Sequence, residues 1–132
     1  MQLALVGRIC DVVLPRTNTP GALDVRVPAF IDALVGESWI EADQVEFRAG
    51  LDALAAHVGD ADGERLTARI EELEDRPDRR ADPVRTYWQL KGLIVHGYFT
   101  SEPVMTRVLR TEIMPGRFDG AAPVPLRRTS GA

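Results

Sequence analysis

The sequence contains few residues that could bind a metal or form a disulfide. Among 132 residues there is one cysteine, Cys10, and there are two histidines, His57 and His96. One cysteine cannot close an internal disulfide, and these three side chains are too few for a structural zinc site with four Cys or His ligands. The composition therefore excludes a disulfide-rich scaffold and a zinc finger.

Long apolar runs and an excess of positive charge are also missing. The longest apolar stretch, residues 3–14, is interrupted by Arg8 and Asp11 and is shorter than the ~20 residues that a membrane-spanning helix requires. Acidic residues outnumber basic residues by 20 to 16, which gives a net charge of -4. We therefore expect neither membrane insertion nor sequence-independent binding to nucleic acid. The first residues lack the layout of a secretory leader, so the sequence is either leaderless or a mature form.

Helical periodicity dominates the first 110 residues. Six segments carry apolar residues at helical spacing, and prolines, glycines or capping residues bound them. The predicted helices begin near Leu3, Pro28, Glu41, Asp62, Asp82 and Ser101. In the same order they end before Pro15, at Gly36, at His57, at Arg76, at Gly97 and near Arg110. The fifth helix is apolar over most of its circumference, which predicts that the other helices surround it.

The last part of the chain differs from the rest in composition. Prolines and glycines are frequent after Thr111, and the helical period is lost. Four large apolar residues remain there as anchors: Met114, Phe118, Val124 and Leu126. We predict an all-α fold, in which residues 1–111 form a compact bundle of five to six helices and residues 112–132 form an extended C-terminal docking tail of the same domain.

Charge is distributed unevenly along the chain. Residues 1–66 have a net charge of -6, and residues 67–132 have a net charge of +2. The positive C-terminal region favours either a protein partner with a complementary patch or a solvated tail.

The sequence shows no arrangement that is typical of an active site. It lacks a glycine-rich nucleotide fingerprint, a phosphate-binding loop, a Gly-x-Ser-x-Gly elbow and a His-Glu-x-x-His pair. His57 and His96 each fall in the last turn of a helix, where the helix dipole stabilises an imidazolium, so both are predicted to be structural. Cys10 is predicted to be a small buried hydrophobe, and Ser101 is predicted to cap the last helix. We therefore predict no catalytic, cofactor-binding or metal-binding residue.

Charged and aromatic clusters have structural interpretations as well. The acidic run from Glu71 to Asp78 is predicted to be a solvated surface, because its spacing does not suit a metal site. Tyr87 and Trp88 are predicted to lie in the core. Trp39, in the loop before the third helix, is compatible with either a lid on the core or an interface.

Two separated motifs carry a resemblance to a known family. Residues 97–102 read Gly-Tyr-Phe-Thr-Ser-Glu, and residues 115–120 read Pro-Gly-Arg-Phe-Asp-Gly. An opening block comprises Asp-Val-Val-Leu-Pro-Arg-Thr-Asn-Thr-Pro-Gly-Ala at residues 11–22 and Val-Pro-Ala-Phe-Ile-Asp at residues 27–32. Together they closely resemble the gluconate 2-dehydrogenase small-subunit (gamma-subunit) family, and they span nearly the whole chain.

The resemblance implies a non-catalytic subunit. Family members accompany a large FAD-dependent flavoprotein of the glucose-methanol-choline (GMC) type, which oxidises sugars, sugar acids or glucosides, often with a haem c cytochrome as a third subunit. The small subunit binds and stabilises the flavoprotein, and the alternative is a maturation or export chaperone that leaves the active enzyme. We expect the following residues at or near the interface: Tyr98, Phe99, Thr100, Glu102, Arg110, Arg117, Phe118 and Asp119.

The sequence departs from the family pattern in two respects. Family members commonly have a cysteine directly after the second C-terminal motif, whereas Ala121 and Ala122 follow Gly120 here, so we expect no covalent link through that position. The twin-arginine leader that many members carry is absent. The sequence as written thus favours a cytoplasmic complex, with a periplasmic one as the alternative if a leader has been removed. A standalone enzyme that uses His96 is a third and weaker hypothesis.

Overall fold

A computed structural model describes residues 2–110 and residue 121 of the chain. Five helices occupy most of this part. Their bounds are Leu3–Val13 (α1), Val27–Ser38 (α2), Glu41–Val58 (α3), Gly63–Glu74 (α4) and Val84–Phe99 (α5). A single π-helical turn at Val104–Val108 follows, which we call the π turn. The described residues contain no strand, so the predicted all-α fold is confirmed. The predicted tail at residues 112–132 lies outside the described residues, Ala121 excepted, and stays a prediction.

The core forms around α5, as its apolar circumference predicts. This helix contacts α1, α2, α3, α4 and the π turn. Tyr87, Leu90 and Ile94 on α5 are fully buried, and they meet buried side chains such as Ile9 of α1 and Leu54 of α3 in one continuous hydrophobic cluster. Removing these apolar surfaces from water supplies the main driving force for folding.

Helices α3 and α5 pack closely against each other at Gly50. A Cβ atom placed on Gly50 of α3 would lie 1.8 Å from the hydroxyl oxygen of Thr86 on α5. Thr86 is itself buried, and its hydroxyl donates a hydrogen bond of 2.6 Å to the carboxylate of Asp82. Only a residue without a side chain fits at position 50 in this arrangement.

Two glycines that were predicted to end helices do not end them. Gly36 is exposed inside α2, which continues to Ser38, and Gly97 lies inside α5, which continues to Phe99. Gly97 serves packing, since a Cβ atom there would lie 2.6 Å from the ring of Phe30 on α2. By contrast, Gly59 has a φ of 52° directly after α3, as expected for a glycine that terminates a helix.

The helices begin close to the predicted residues, but the predicted side-chain capping hydrogen bonds do not form. Asp62 is the N-cap residue of α4, as predicted, although its side chain makes no capping hydrogen bond. For α5 the N-cap falls on Pro83, one residue after Asp82, whose carboxylate accepts hydrogen bonds from Thr86 and Arg85. At its other end, α4 stops at Glu74, two residues before the predicted end.

The prediction that Ser101 caps the last helix is wrong. Its hydroxyl donates a hydrogen bond of 2.6 Å to the carbonyl oxygen of Tyr98 and so satisfies the end of α5. The last carbonyl groups of a helix have no hydrogen-bond donor within the helix. At the end of α5, side-chain hydroxyls donate to these carbonyl groups. The predicted sixth helix is correspondingly reduced to the π turn. No helix in the described part of the chain is both long and apolar enough to cross a bilayer.

Candidate partner interface

The opening block and the Gly-Tyr-Phe-Thr-Ser-Glu motif, which we call the two motif regions, are distant in sequence but meet in space at the carboxyl end of α5. The hydroxyl of Tyr98 donates a hydrogen bond of 2.7 Å to the carbonyl oxygen of Pro20. Tyr98 is 6% exposed, so this bond is partly shielded from water. The bond therefore fixes the loop between α1 and α2 against the last turn of α5.

Backbone contacts make this loop, residues 14–26, a compact turn. The amide of Ala22 donates a hydrogen bond of 2.9 Å to the carbonyl oxygen of Leu14. Gly21 is buried at the crossing, where a Cβ atom would lie 2.6 Å from the amide nitrogen of Arg16. The loop thus requires glycine at position 21 because the backbone passes too closely for any side chain.

An ion pair closes the same loop on its outer side. The guanidinium of Arg16 contacts both carboxylate oxygens of Asp24, with an Nε–Oδ2 distance of 2.8 Å. The Gly21 amide donates a further hydrogen bond of 2.8 Å to Asp24. Hydrogen bonds from Arg16, and then from Gly21, stabilise the ionised carboxyl and hold its pKa below the usual range for aspartate.

The pKa of Asp24 can be tested by NMR titration of its side-chain carboxyl carbon. In the Arg16→Gln variant we expect the midpoint to rise, because the largest stabilising contact is lost. Because the folded-state pKa is depressed, the carboxylate holds the loop closed above its unfolded pKa, and this contribution is lost as the pH falls through the folded pKa. Arg26→Gln is the matched control, since it removes the same charge from the same loop. An equal shift in both variants would contradict a specific pairing.

A second contact joins the two motif regions through α2. Phe30 packs against Gly97, and its ring centroid lies 6.2 Å from that of His96. His96 and Gly97 occupy the last turn of α5 before Tyr98. Phe30 and Tyr98 thus hold this turn from two sides and fix the direction in which the following residues leave the bundle.

The held turn presents an exposed apolar surface. Phe99 is 42% exposed and packs edge-on against the buried Tyr98 ring, with a centroid distance of 5.0 Å. Val95, one helical turn earlier, is 37% exposed. We call Val95 and Phe99 the Phe99 surface. A large aromatic side chain held rigidly at the surface is typical of protein interfaces, because it contributes apolar area at low entropic cost.

A comparison with protein families identifies the chain. The family model described as gluconate 2-dehydrogenase subunit 3 matches residues 1–116. The chain belongs to this family. Searches of curated proteins and of solved structures each found no match. The family match spans all five helices, including the opening block and the Gly-Tyr-Phe-Thr-Ser-Glu motif, and it confirms the resemblance given by the motifs. Residues 117–132 lie beyond it.

The structure places five of the eight predicted interface residues of this family member. Phe99, Thr100, Glu102 and Arg110 are exposed, whereas the Tyr98 ring is buried and positions its neighbour. The Thr100 hydroxyl donates a hydrogen bond of 2.7 Å to the carbonyl oxygen of His96. The remaining three lie outside the described residues: Arg117, Phe118 and Asp119. For all eight residues, placement at an interface stays a prediction.

The potentially reactive side chains outside this site, Cys10 and His57, have structural roles. Cys10 is buried, which raises the pKa of its thiol to about 12 and makes it a poor nucleophile. The ring of His57 lies 3.0 Å from the carbonyl oxygen of Arg69 and links α3 to α4. Across residues 2–110, no three Cys, His, Asp or Glu side chains are grouped as a metal site would require.

Sequence reasoning missed several residues that shape the site of this small subunit. Pro20, Phe30 and the Arg16–Asp24 pair lie in or beside the opening block, which the motif comparison identified only as a resemblance. The hydrogen bond between Tyr98 and Pro20 joins residues that are 78 positions apart, so local periodicity carries no signal for it. The presence of a turn-rich, non-repetitive block beside α1 was the only sequence signal for this part of the site.

Proposed function

We propose that this chain is the non-catalytic auxiliary subunit of a flavin-dependent sugar, sugar-acid or glucoside dehydrogenase. It binds and stabilises a large GMC-type subunit that carries the FAD and the substrate pocket. Family membership supports a role as a dehydrogenase subunit. The sequence has no nucleotide-binding fingerprint, so we assign the flavin to the partner. A haem c cytochrome as a third subunit and electron acceptor is part of the same proposal.

The observation that carries the proposal is the exposed Phe99 beside the buried Tyr98–Pro20 contact. The Phe99 surface adjoins Thr100, Glu102 and the π turn, so an apolar centre is bordered by polar and charged groups. Interfaces are commonly arranged with a few anchoring aromatics inside a polar rim. Because Tyr98 and Phe30 already fix this turn, little conformational entropy would be lost on binding.

The proposal predicts that Phe99→Asp weakens the complex with the large subunit by about tenfold to a hundredfold, since it replaces an apolar anchor with a charge that binding would desolvate. The measurement is co-expression of both subunits, followed by affinity purification and titration of the separated partners. Because Phe99 is partly exposed in the free chain, the variant is expected to keep its helical circular dichroism and most of its thermal stability.

Val45→Asp is the matched control, because Val45 is 58% exposed on α3 and lies outside the motif regions. It introduces the same charge and is expected to leave the affinity unchanged. Unchanged binding of Phe99→Asp, or equal losses in both variants, would sink the assignment of this surface. The same purification separates a permanent subunit from a maturation chaperone: an active, FAD-loaded dehydrogenase without a stoichiometric small chain would favour the chaperone.

A further inference from the structure

A groove runs between α1 and α4 and continues towards α5. Its wider part encloses about 570 Å³ and its narrower part about 200 Å³, and the two share Val12, Thr67 and Glu71 as lining residues. Apolar side chains from α1, α4 and α5 lie along it: Val12, Val13, Leu66, Ile70 and Tyr87. Carboxylates also line it: Asp11, Asp62, Glu64, Glu71 and Glu74. We call this the α1–α4 groove.

The charges of the groove are largely unbalanced. Its two basic residues are already engaged, because Arg8 donates to the carbonyl oxygens of Gly59 and Ala61, and Lys91 pairs with Glu74 at 2.5 Å. Four carboxylates remain that form no ion pair with any residue of the described part: Asp11, Asp62, Glu64 and Glu71. An apolar groove bordered by unpaired carboxylates suits an occupant that carries both apolar and basic side chains.

We propose that residues 123–128 of the same chain bind in the α1–α4 groove. This segment reads Pro-Val-Pro-Leu-Arg-Arg, so it combines apolar side chains with two adjacent positive charges. It lies beyond the part that matches the family, and the proposed dehydrogenase interface does not account for it. Arg127 and Arg128 offset two of the four unpaired carboxylates, while Val124 and Leu126 meet the apolar side chains.

The dimensions of segment and groove agree. The groove follows α4, whose 12 residues extend over ~18 Å at the helical rise of ~1.5 Å per residue. Prolines at positions 123 and 125 favour the polyproline II conformation, in which six residues span ~19 Å at ~3.1 Å per residue. Because proline restricts the backbone before binding, an extended segment of this kind loses little entropy when it enters a groove.

The connection from the π turn is long enough. Twelve residues separate Arg110 from Pro123, and an extended chain of that length reaches ~40 Å. A domain of this size has a radius of gyration of ~13 Å, so the segment can reach the groove from Arg110. Attachment to the same chain gives the segment an effective concentration in the millimolar range, at which a modest intrinsic affinity is sufficient.

The test uses the full-length chain with a nitroxide spin label on a Ser130→Cys variant. Cys10 is buried and its thiol pKa is raised to about 12, so it does not compete for the label at neutral pH. We expect paramagnetic loss of the amide signals of Thr67 and Ala68 in the groove. The amide of Glu41, at the start of α3, should keep its signal.

Reversing the charge of groove carboxylates distinguishes specific binding of the segment in the groove from a C-terminal segment that is merely near it. In Glu64→Lys/Glu71→Lys the signals of Thr67 and Ala68 should return, whereas Glu41→Lys/Asp43→Lys, with the same change in net charge on α3, should leave their loss intact. Intact groove signals in the parent chain, or recovery in both charge variants, would overturn the proposal. Signal loss that appears only when a spin-labelled chain is mixed with an isotopically labelled one would assign the contact to a second copy and overturn it as well. All these measurements are made without the dehydrogenase partner, so their outcome is independent of the proposed function.

Discussion

Replacing Gly50 with alanine is expected to lower the free energy of unfolding by roughly 2–4 kcal/mol. The new Cβ atom would lie 1.8 Å from the Thr86 hydroxyl oxygen and 2.8 Å from its Cβ atom. Thr86 cannot rotate away without giving up its hydrogen bond to Asp82, because a β-branched side chain has few alternatives in a helix. Relief of the clash therefore requires α3 and α5 to separate, which would open the centre of the core. Thermal unfolding followed by circular dichroism measures the effect.

Gly92→Ala is the matched control for this prediction. Gly92 lies in α5, and nothing lies within 4 Å of the position that its Cβ atom would occupy. Alanine has a higher helix propensity than glycine, so this variant should be more stable than the parent chain by about 0.5–1 kcal/mol. The double variant Gly50→Ala/Thr86→Ala should recover part of the loss, because it removes the clashing hydroxyl. A Gly50→Ala variant as stable as the parent chain would contradict the close approach of α3 and α5.

Replacing Tyr87 with alanine should cost about 3–5 kcal/mol, the range typical of truncating a buried aromatic side chain. Tyr87 is fully buried in α5, and its hydroxyl donates a hydrogen bond to Glu74 on α4. Its ring also packs edge-on against Trp88 at a centroid distance of 5.6 Å. The substitution would therefore leave a cavity beside the α1–α4 groove and remove a link between α4 and α5.

Tyr87→Phe isolates the contribution of the hydroxyl group. It keeps the packing and removes one hydrogen bond to a carboxylate, so we expect a loss of about 1.5–3 kcal/mol at neutral pH. The pKa of Glu74 is lowered first by Lys91 and then by Tyr87, so this stabilisation exists above the unfolded-state pKa of glutamate and disappears as the pH falls. The stability difference between the two proteins should therefore shrink in acid. A Tyr87→Phe loss that equals the Tyr87→Ala loss would show that packing contributes little.

The five helices could be predicted from the sequence, but several of their ends could not, and the predicted sixth helix is only a π turn. A glycine after a periodic segment has the same local signal whether it ends the helix or lies within it. Gly59 ends α3 with a positive φ, whereas Gly97 lies within α5 because the ring of Phe30, 67 positions away, packs against it. The difference depends on a tertiary contact, and apolar periodicity contains no information about such contacts.

At the candidate site, too, the sequence predicted local features but not contacts between residues far apart in the chain. The motif comparison correctly identified the family. Its placement of Phe99 at a partner interface stays a prediction, and the structure shows only that this side chain is exposed. The burial of Tyr98 was missed because its hydroxyl has its partner in a loop 78 positions earlier. Ser101 was assigned to the wrong helix because a hydroxyl at a junction can bind either the preceding carbonyl groups or the following amides. In both cases the decision depends on geometry that a single segment does not contain.

The two tryptophans give the fold a pair of built-in optical reporters. Trp39 lies at the junction of α2 and α3, with its ring edge-on to Phe47 at a centroid distance of 5.2 Å. Trp88 lies on α5 with the Arg79 guanidinium 3.8 Å from its ring centroid and the Lys91 ammonium 5.0 Å away. Nearby cations and ring edges affect indole emission differently, so each tryptophan can be followed by itself in a variant that lacks the other. Fluorescence can thereby distinguish events at the α2–α3 junction from events beside the α1–α4 groove, without any added label.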